Sequence, residues 1–443
     1  MDTLAFALYG QRAGIITRDG GRLSLAYDTE YLADPTATPL SLSLPLTDKA
    51  HHNRAIEAYL RGLLPDHDGV RRRWAQAFGL RDKDTLGLIR AIGLDCAGGA
   101  LFAPENELES ALSRKGNIKP LTEEQIGSHL RLLRQDETAW HEEEDEHWSL
   151  AGGQSKFTLV KTRQKWARTS GSLPSTHIIK PGISRIPAQA LTEHVSMRAL
   201  SLLGEHVAHS EYYEFDGEPA IVVKRFDRLV GKNGEVLRLH SEDLVQSFGL
   251  DPSRKYESDG GPGVERISTL LAGTTDRLST ERFAHAVIAN YILGAPDAHA
   301  KNYSLLLAQN TATLAPLYDV ASGFIGEAET GRIRYRKTAM SIGGHTVFGE
   351  VTGREWRKFA RMVQQEEDKV FAFIAQLATQ LPDALNDAIH ELPHDVQGFN
   401  LLISRLLPRV AALAQHTLTT IHTMEPRTSR VTTNLLSDLN KIG

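Results

Sequence analysis

The sequence predicts an α+β protein with a β-rich N-terminal part and an all-helical C-terminal lobe. Between Leu4 and Tyr27, apolar residues recur between turn signals such as Asp19-Gly20-Gly21, which is typical of short antiparallel strands. From Asp243 onward the apolar residues follow the helical period instead, most clearly over 355–381. A chain of 443 residues with 41% hydrophobic content can bury more than one core, so we expect several domains.

Four segments are expected along the chain. They are a β-rich N-terminal subdomain over 1–110, a helix and an acidic linker over 111–147, a second β-rich lobe over 148–228, and a helical lobe over 229–443. Thr122 with Gln125 forms a capping-box pattern that predicts the start of the helix in the second segment. The acidic run 142–146 favours a hydrated linker, with a docking site for a basic partner as the alternative. The polar tail 425–443 is expected to be partly disordered.

Composition excludes several classes of function. The net charge of −5 comes from 50 basic and 55 acidic residues, so no global attraction to nucleic acid or anionic membrane is expected, although a local basic patch remains open. Cys96 is the single cysteine, which excludes an intrachain disulfide and a thiolate zinc cluster. No Gly-x-Ser-x-Gly motif supports a serine hydrolase. Without an N-terminal signal or an apolar run of roughly 18 residues, a cytoplasmic protein is expected.

The strongest chemical signal is Gly-Ala-Pro-Asp-Ala-His-Ala-Lys-Asn at 294–302. Pro296 should end the preceding helix, so that Asp297 and Asn302 fall on one loop. Their spacing of five positions is that of the protein-kinase catalytic loop, in which the Asp accepts the substrate hydroxyl proton and the Asn holds Mg²⁺. Asp319 follows another short apolar run, where a second Mg²⁺ ligand is expected. The pattern therefore predicts phosphoryl transfer, with Asp297 as the base.

His299 and Lys301 lie between these two residues. His299 could orient the loop or help to coordinate the aspartate and metal cluster, which makes it a candidate catalytic and cofactor-binding residue. A histidine that donates to a backbone carbonyl is an equally good interpretation.

A candidate phosphate loop lies at Ala151-Gly-Gly-Gln-Ser-Lys156. Glycine lets backbone amides approach phosphate oxygens, and the adjacent lysine adds a positive charge. By itself this stretch is more often a plain turn. Lys180 ends a predicted strand, where a solvated edge lysine is the usual finding, but Glu193 lies thirteen residues later on a predicted helix and could pair with it as in protein kinases.

With these residues in place, the sequence resembles the HipA-type serine/threonine kinase toxins of bacterial toxin-antitoxin pairs. The resemblance implies a protein-kinase-like fold in which 148–228 is the ATP-binding lobe. It runs from the N-terminus to about Met340, while the helical last hundred residues are similar in character only. It rests on motifs at 39–45, 63–66, 149–156, 176–180, 225–228, 255–263, 297–302 and 318–319.

The resemblance also implies a set of site residues. Those expected at ATP are Gly152, Gly153, Gln154, Ser155, Lys156, Lys180, Lys224, Phe226, Asp227, His299, Asn302 and Asp319. Among them, 224–226 would contact adenine through backbone groups and Asp227 would lie by the ribose. Ser149 matches the autophosphorylated serine of the family, and a phosphate there would eject the loop and inactivate the enzyme. Ser155 stands where an acidic residue is familiar and is the alternative acceptor.

The resemblance also implies a biological role, that of a Mg-ATP-dependent toxin that phosphorylates a protein of translation. An aminoacyl-tRNA synthetase is the expected substrate, with growth arrest or persistence as the result. The expected partner is a HipB-type helix-turn-helix antitoxin, which would carry the chain to operator DNA. Two alternatives stay open: a small-molecule kinase with the same Asp-Asn-Asp set, and a catalytically weak co-repressor in the DNA complex. The intact set argues against the co-repressor.

Overall fold

A computed structural model of the chain describes residues 2–326 and 337–422, apart from Asn53, Asp82, Glu144, Arg163 and Gln164. The chain divides into two units, each built from separate stretches of sequence. The first unit comprises Met1–Pro181, Tyr213–Lys255 and Ser304–Ala315, and the second comprises Gly182–Tyr212, Tyr256–Tyr303 and Pro316–Gly443. The expected domain boundaries after residues 110, 147 and 228 stay predictions.

The first unit contains most of the described strands. Its four-stranded sheet has the order Arg22–Tyr27, Gln11–Asp19, Asp2–Leu8 and Leu101–Ala103. A six-stranded sheet has the order Ser210–Phe215, Glu218–Lys224, His177–Lys180, Phe157–Thr162, Lys165–Thr169 and Ile118–Pro120. A three-stranded sheet consists of His240–Asp243, Ser304–Ala308 and Thr311–Leu314. Two pairs complete the set, namely Asp95–Cys96 with Trp148–Ser149, which is parallel, and Arg228–Val230 with Val236–Arg238.

The helices of the first unit are short and pack against these sheets. They are Thr29–Ala33, Arg54–Gly62, Asp68–Ala77, Thr85–Ile92, Leu108–Leu112, Glu123–Gln135 and Leu244–Ser247, with 3-10 turns at Glu105–Glu107 and Pro252–Arg254. The predicted capping box is confirmed, because the Gln125 amide donates to the Thr122 hydroxyl and the Gln125 side chain accepts from the Thr122 amide. The strands and helices share one core that includes Phe6, Trp74 and Phe157. The prediction of a β-rich N-terminal part is therefore confirmed.

The acidic run is not the hydrated linker that the sequence suggests. The guanidinium of Arg168 is buried and pairs with three of its carboxylates: Glu142, Glu143 at 3.1 Å and Glu146 at 3.5 Å. Glu146 itself is only 1% exposed, and its other oxygen accepts a hydrogen bond from the Trp148 indole at 2.8 Å. The expectation of a hydrated linker was wrong because the run of acidic residues by itself does not reveal that Arg168, on the strand Lys165–Thr169, pairs with it.

A second buried ion cluster joins distant parts of the first unit. The Asp95 carboxylate accepts hydrogen bonds from Arg228 at 2.8 Å, from Arg225 at 3.3 Å and from the Ser175 hydroxyl at 2.7 Å. Asp227 pairs with the same two arginines. Burial alone would raise the pKa of Asp95, but the two guanidinium groups outweigh it and hold the pKa well below its usual range.

Glu242 is a buried carboxyl with an unusual charge state. Its Oε1 accepts a hydrogen bond from the Leu42 amide at 2.9 Å. Burial raises the pKa of Glu242 to about 7, against the hydrogen bonds from Ser41 and Leu42. The folded protein therefore holds a proton that the unfolded chain releases above about pH 4.3, and stability must fall as the pH rises from there to about 7.

We therefore expect Glu242→Gln to stabilise the protein increasingly as the pH rises. Its advantage over the wild type should grow by about 2 to 3 kcal/mol between pH 5 and pH 8, because each pKa unit corresponds to about 1.4 kcal/mol. Urea denaturation at both pH values measures this change. The matched control is Glu235→Gln, on an exposed residue of the same unit, whose difference from the wild type should not vary with pH. Parallel pH profiles for Glu242→Gln and the wild type would contradict the assignment.

The second unit is mainly helical and contains one described hairpin, Lys337–Ile342 with His345–Val347. The range 229–443, expected to be all-helical, also includes the strands Val236–Arg238, His240–Asp243, Ser304–Ala308 and Thr311–Leu314. The helices of the second unit are Gln189–Leu202, Val264–Thr274, Arg277–Ile292, Gly353–Met362, Glu367–His390, Phe399–Leu401 and Leu407–Thr420, with a π-helical turn at Leu402–Leu406 and 3-10 turns at Glu257–Asp259, Ala300–Asn302 and Gly323–Gly326. Aromatic side chains fill its core. The rings of Tyr291 and Trp356, for example, meet edge to face at 5.4 Å.

The helical period over 355–381 does not correspond to one continuous helix. Two helices occupy this stretch, and the break between them contains Gln364 at a positive φ of 56°. The second helix continues through Pro382. The break escapes a periodicity argument because apolar residues keep the helical spacing on both sides of it.

The π-helical turn Leu402–Leu406 precedes the helix Leu407–Thr420, whose second residue, Pro408, has no backbone N–H to donate. Met424 and the polar tail lie outside the described residues. No helix in the described part of the chain is long and apolar enough to cross a membrane. Cys96 is buried in the first unit, and burial raises the pKa of its thiol to about 12.

Candidate active site

The loop 297–302 has the geometry that its spacing predicts. The helix Arg277–Ile292 ends before Pro296, and the Asp297 carboxylate is 61% exposed. The Asn302 side-chain amide donates to the Asp297 carbonyl at 2.7 Å, and the His299 amide donates to the same carbonyl at 2.8 Å. The structure thus brings the predicted base and the predicted Asn ligand together on one turn.

Asp319 is fastened to this loop by its neighbour. The Tyr318 hydroxyl donates to the Lys301 carbonyl at 2.7 Å, which ties the segment before Asp319 to the catalytic loop. Asp319 is half-buried and adopts a positive φ of 59°, a conformation that Asp and Asn tolerate better than most residues. Loop and aspartate belong to the same unit.

These donors fit a magnesium ion better than a softer metal. Asn302 uses its amide N–H in the loop, so its amide oxygen is the group suited to a cation, and the Asp319 carboxylate adds a charged oxygen. Within residues 2–326 and 337–422, no group of three or more His, Cys, Asp or Glu side chains is placed to hold a metal ion. Magnesium does not need such a cage, since it is commonly bound by one or two protein oxygens together with water and nucleotide phosphates.

Close to the base lie two further side chains. His299 is buried, and its Nε2 lies 3.9 Å from Asp297 Oδ1. The hydroxyl of Tyr256 donates to the same Asp297 oxygen, and the Tyr256 ring meets the His299 ring edge to face at 4.9 Å. The sequence pattern indicated a role for His299 but none for Tyr256 beside Asp297. The signal for Tyr256 was its place just before the glycine-rich turn 259–263.

The candidate phosphate loop lies in the first unit and is fastened to the turn 63–66. The Ser149 hydroxyl is fully buried and donates to the Leu63 carbonyl at 2.7 Å, and the Gly152 carbonyl accepts from the Asp66 amide at 2.9 Å. Gly152 has a positive φ of 102°, and a Cβ there would lie 2.7 Å from the Lys156 ammonium. At Gly153 a Cβ would meet no atom within 4 Å, so the backbone at this position is open to a ligand.

Side chains within the phosphate loop are held by local contacts. The Lys156 ammonium donates to the Ala151 carbonyl at 2.8 Å and lies 4.8 Å from the centre of the Trp140 ring. The Ser155 hydroxyl donates to the Glu137 carbonyl at 3.2 Å, and Gln154 is half-buried. A glycine turn and a buried lysine are therefore brought together as the sequence predicts.

Lys180 is the last residue of the strand His177–Lys180 and is buried rather than a solvated edge residue. It pairs in register with Ile221 of the neighbouring strand. Glu193 is a buried residue of the helix Gln189–Leu202, which belongs to the second unit. Their expected ion pair stays a prediction.

The expected adenine segment 224–226 follows the strand Glu218–Lys224, with Lys224 exposed and Phe226 half-buried. Asp227 is buried in the ion cluster, where its Oδ2 accepts from the Gly98 amide at 2.7 Å and from Arg225 at 2.8 Å. Its Oδ1 accepts a second bond from Arg225 at 3.0 Å. Both oxygens are thus engaged inside the first unit, so we assign Asp227 a structural role and its expected ribose contact stays a prediction.

Comparison with protein families matches two stretches of the chain. Residues 4–102 match the HipA N-terminal domain, and residues 148–385 match the HipA-like C-terminal domain. The protein Y4mE of Sinorhizobium fredii is 31% identical over 406 residues, covering 90% of this chain and 93% of the relative. The serine/threonine-protein kinase toxin HipA of Shewanella oneidensis is 28% identical over 371 residues, covering 80% and 82%.

The fold is also similar to a solved structure, that of Shewanella oneidensis HipA in a complex with HipB and its operator DNA. The TM-score is 0.82 at 25% identity, and the match covers 94% of this chain and 98% of that one.

Proposed function

Since this chain belongs to the HipA family of serine/threonine-protein kinase toxins, we propose that it transfers the γ-phosphoryl group of Mg-ATP to a serine or threonine hydroxyl of a protein. The observation that carries the proposal is the hydrogen bond from the Asn302 amide to the Asp297 carbonyl, which holds a base and a cation ligand on one turn. In this mechanism Asp297 accepts the proton of the acceptor hydroxyl, and Asn302 and Asp319 hold the metal. The metal, when bound, neutralises charge on the phosphates.

We propose that the nucleotide is held by lysine side chains and by the glycine-rich phosphate loop. Lys156 and Lys180 would contact its phosphates, and the open backbone at Gly153 supports a close approach of the phosphate loop. The backbone of 224–226 would contact adenine. His299 would keep the loop in shape through its ring contact with Tyr256.

Self-inactivation through Ser149 is part of the proposal. Its hydroxyl is buried and committed to the Leu63 carbonyl, so a phosphate of up to two negative charges has no room there. Phosphorylation would therefore require Ser149 to leave this contact, and the phosphate loop would lose one of its attachments to the turn 63–66. Ser155 is the alternative acceptor, and it too must break a bond to a carbonyl, that of Glu137.

We further propose that the chain acts in the cytoplasm as the toxin of a toxin-antitoxin pair. A HipB-type helix-turn-helix antitoxin is the proposed partner, because HipB and operator DNA accompany the similar chain from Shewanella oneidensis. The net charge of −5 supports contact with DNA mainly through the antitoxin. Phosphorylation of a translation protein, such as an aminoacyl-tRNA synthetase, would cause growth arrest or persistence.

The test is to incubate the purified full chain with Mg²⁺ and γ-labelled ATP, with and without cell lysate, and to locate the label by mass spectrometry. We expect label on Ser149 or Ser155 and on one lysate protein. ATP binding without any transfer would overturn the kinase proposal and favour the co-repressor. Transfer only to a sugar, alcohol or aminoglycoside would favour the small-molecule kinase.

We expect Asp319→Asn to reduce the rate of phosphoryl transfer by about 100-fold at low Mg²⁺, because a bound metal contributes several kcal/mol of charge stabilisation. At high Mg²⁺ the rate of this variant should recover partly. Asparagine is the suitable replacement because it tolerates the positive φ of this position. The measurement is a Mg²⁺ titration of the initial rate. Asp387→Asn, on an exposed residue of a distant helix, is the control. An unchanged Mg²⁺ dependence in Asp319→Asn would remove Asp319 from the metal site.

A further inference from the structure

The Tyr256 phenol contacts a carboxylate oxygen of Asp297, the proposed base. Its hydroxyl donates a hydrogen bond to Asp297 Oδ1, although the carboxylate as a whole is 61% exposed. The half-buried ring is fixed by its edge-to-face contact with His299, with the two planes at 85°. The hydroxyl is therefore held on the carboxylate by a ring that has its own packing partner.

The backbone around Tyr256 is also fixed. Its carbonyl accepts hydrogen bonds from the amides of Asp259 at 3.1 Å and Gly261 at 2.9 Å, which closes the turn that follows. The next residue, Glu257, accepts hydrogen bonds from the hydroxyl of Ser341, at 3.0 Å, and from its amide. The turn 256–261 and the hairpin that contains Ser341 thus hold the backbone on the C-terminal side of Tyr256.

In phosphoryl transfer to a protein, the acceptor hydroxyl donates its proton to the catalytic aspartate. The Tyr256 phenol already donates to one oxygen of this carboxylate, which is the kind of contact that the acceptor hydroxyl would make. Resting on the proposed kinase function, we propose that Tyr256 is an internal stand-in for the acceptor, which covers Asp297 until a substrate serine or threonine displaces it.

This arrangement would select against water as the acceptor. Displacing the phenol costs one hydrogen bond to a charged group, which is stronger than a bond between neutral groups. A protein substrate can offset that cost with binding energy from contacts elsewhere, whereas a single water molecule cannot. Tyr256 would therefore protect bound ATP from hydrolysis between encounters with substrate.

The test uses Tyr256→Phe, which keeps the ring against His299 and removes only the donor. ATP hydrolysis by the full chain with Mg²⁺, without a protein acceptor, is expected to rise about tenfold to 100-fold, the equivalent of one net hydrogen bond to a charged group. The affinity for ATP should stay the same. The matched control is Tyr9→Phe, which removes a phenol that donates to the Leu307 carbonyl rather than to Asp297, and it is expected not to raise hydrolysis.

ATP hydrolysis that is unchanged or lower in Tyr256→Phe would overturn the proposal and would mean that the phenol supports Asp297 as the base.

A second readout is independent of ATP turnover. It is carbodiimide-coupled labelling of carboxylates with glycine ethyl ester, followed by peptide mass spectrometry. Labelling of Asp297 should rise about threefold in Tyr256→Phe when one hydrogen bond is removed, but not in Tyr9→Phe. Equal labelling in all three proteins would refute the covering contact. Increased labelling without any ATP turnover would leave the contact standing and refute the kinase.

Discussion

Replacing Asp297 with alanine is expected to reduce phosphoryl transfer by about 10²- to 10⁴-fold, the usual contribution of a positioned general base. The fold should survive, because the carboxylate is largely exposed and the loop is held by the Asp297 carbonyl, which the substitution keeps. Initial rates of label transfer at saturating ATP measure the loss. Thermal denaturation of the same preparation checks the fold.

Two variants sharpen this result. Asp297→Asn keeps the shape and the hydrogen bond to Tyr256 but cannot take up the proton, so its loss of rate should be similar. Asp383→Ala changes an exposed aspartate of the helix Glu367–His390 and should keep the wild-type rate. A wild-type rate in Asp297→Ala would mean that another group is the base.

Asp95→Ala should have the largest effect on stability, a loss of about 3 to 5 kcal/mol, because removing one partner of a buried ion pair leaves the other charge uncompensated. The guanidinium groups of Arg225 and Arg228 are almost fully buried, and each forms ion pairs with Asp95 and with Asp227. In the variant, the pairs with Asp95 are lost and those with Asp227 remain. Urea denaturation at pH 7 measures the loss. The Asp95 pKa is lowered in the folded state, so this stabilisation is present above the ordinary pKa of about 3.9 and is lost as the pH falls below it.

The matched control for Asp95→Ala is Glu105→Ala, which removes one partner of an exposed ion pair with Arg12 in the same unit. Exposed pairs contribute about 0 to 1 kcal/mol, so this variant should be close to the wild type. If both variants lost less than about 1 kcal/mol of unfolding free energy, which is the contribution of an exposed ion pair, the cluster around Asp95 would not be a main source of stability in the first unit.

Local chemistry explains why much of the site could be predicted. The spacing from Asp297 to Asn302, with Pro296 ending the helix before it, determines a loop within a few residues, and the observed Asn302 bond follows from that loop. The capping box at Thr122 and the glycine turn at Gly152 are local in the same way. Such signals depend on backbone conformations that adjacent residues specify.

The sequence by itself therefore determined the fold class, the loop 297–302 and the glycine turn. Only the tertiary structure decided the partners of Asp227, Glu146 and Tyr256. Gly98 contacts Asp227 across 129 positions, and Tyr256 reaches Asp297 across 41. The physical reason is that an ionisable side chain takes its role from the groups desolvated together with it, and these are brought together by packing rather than by proximity along the chain.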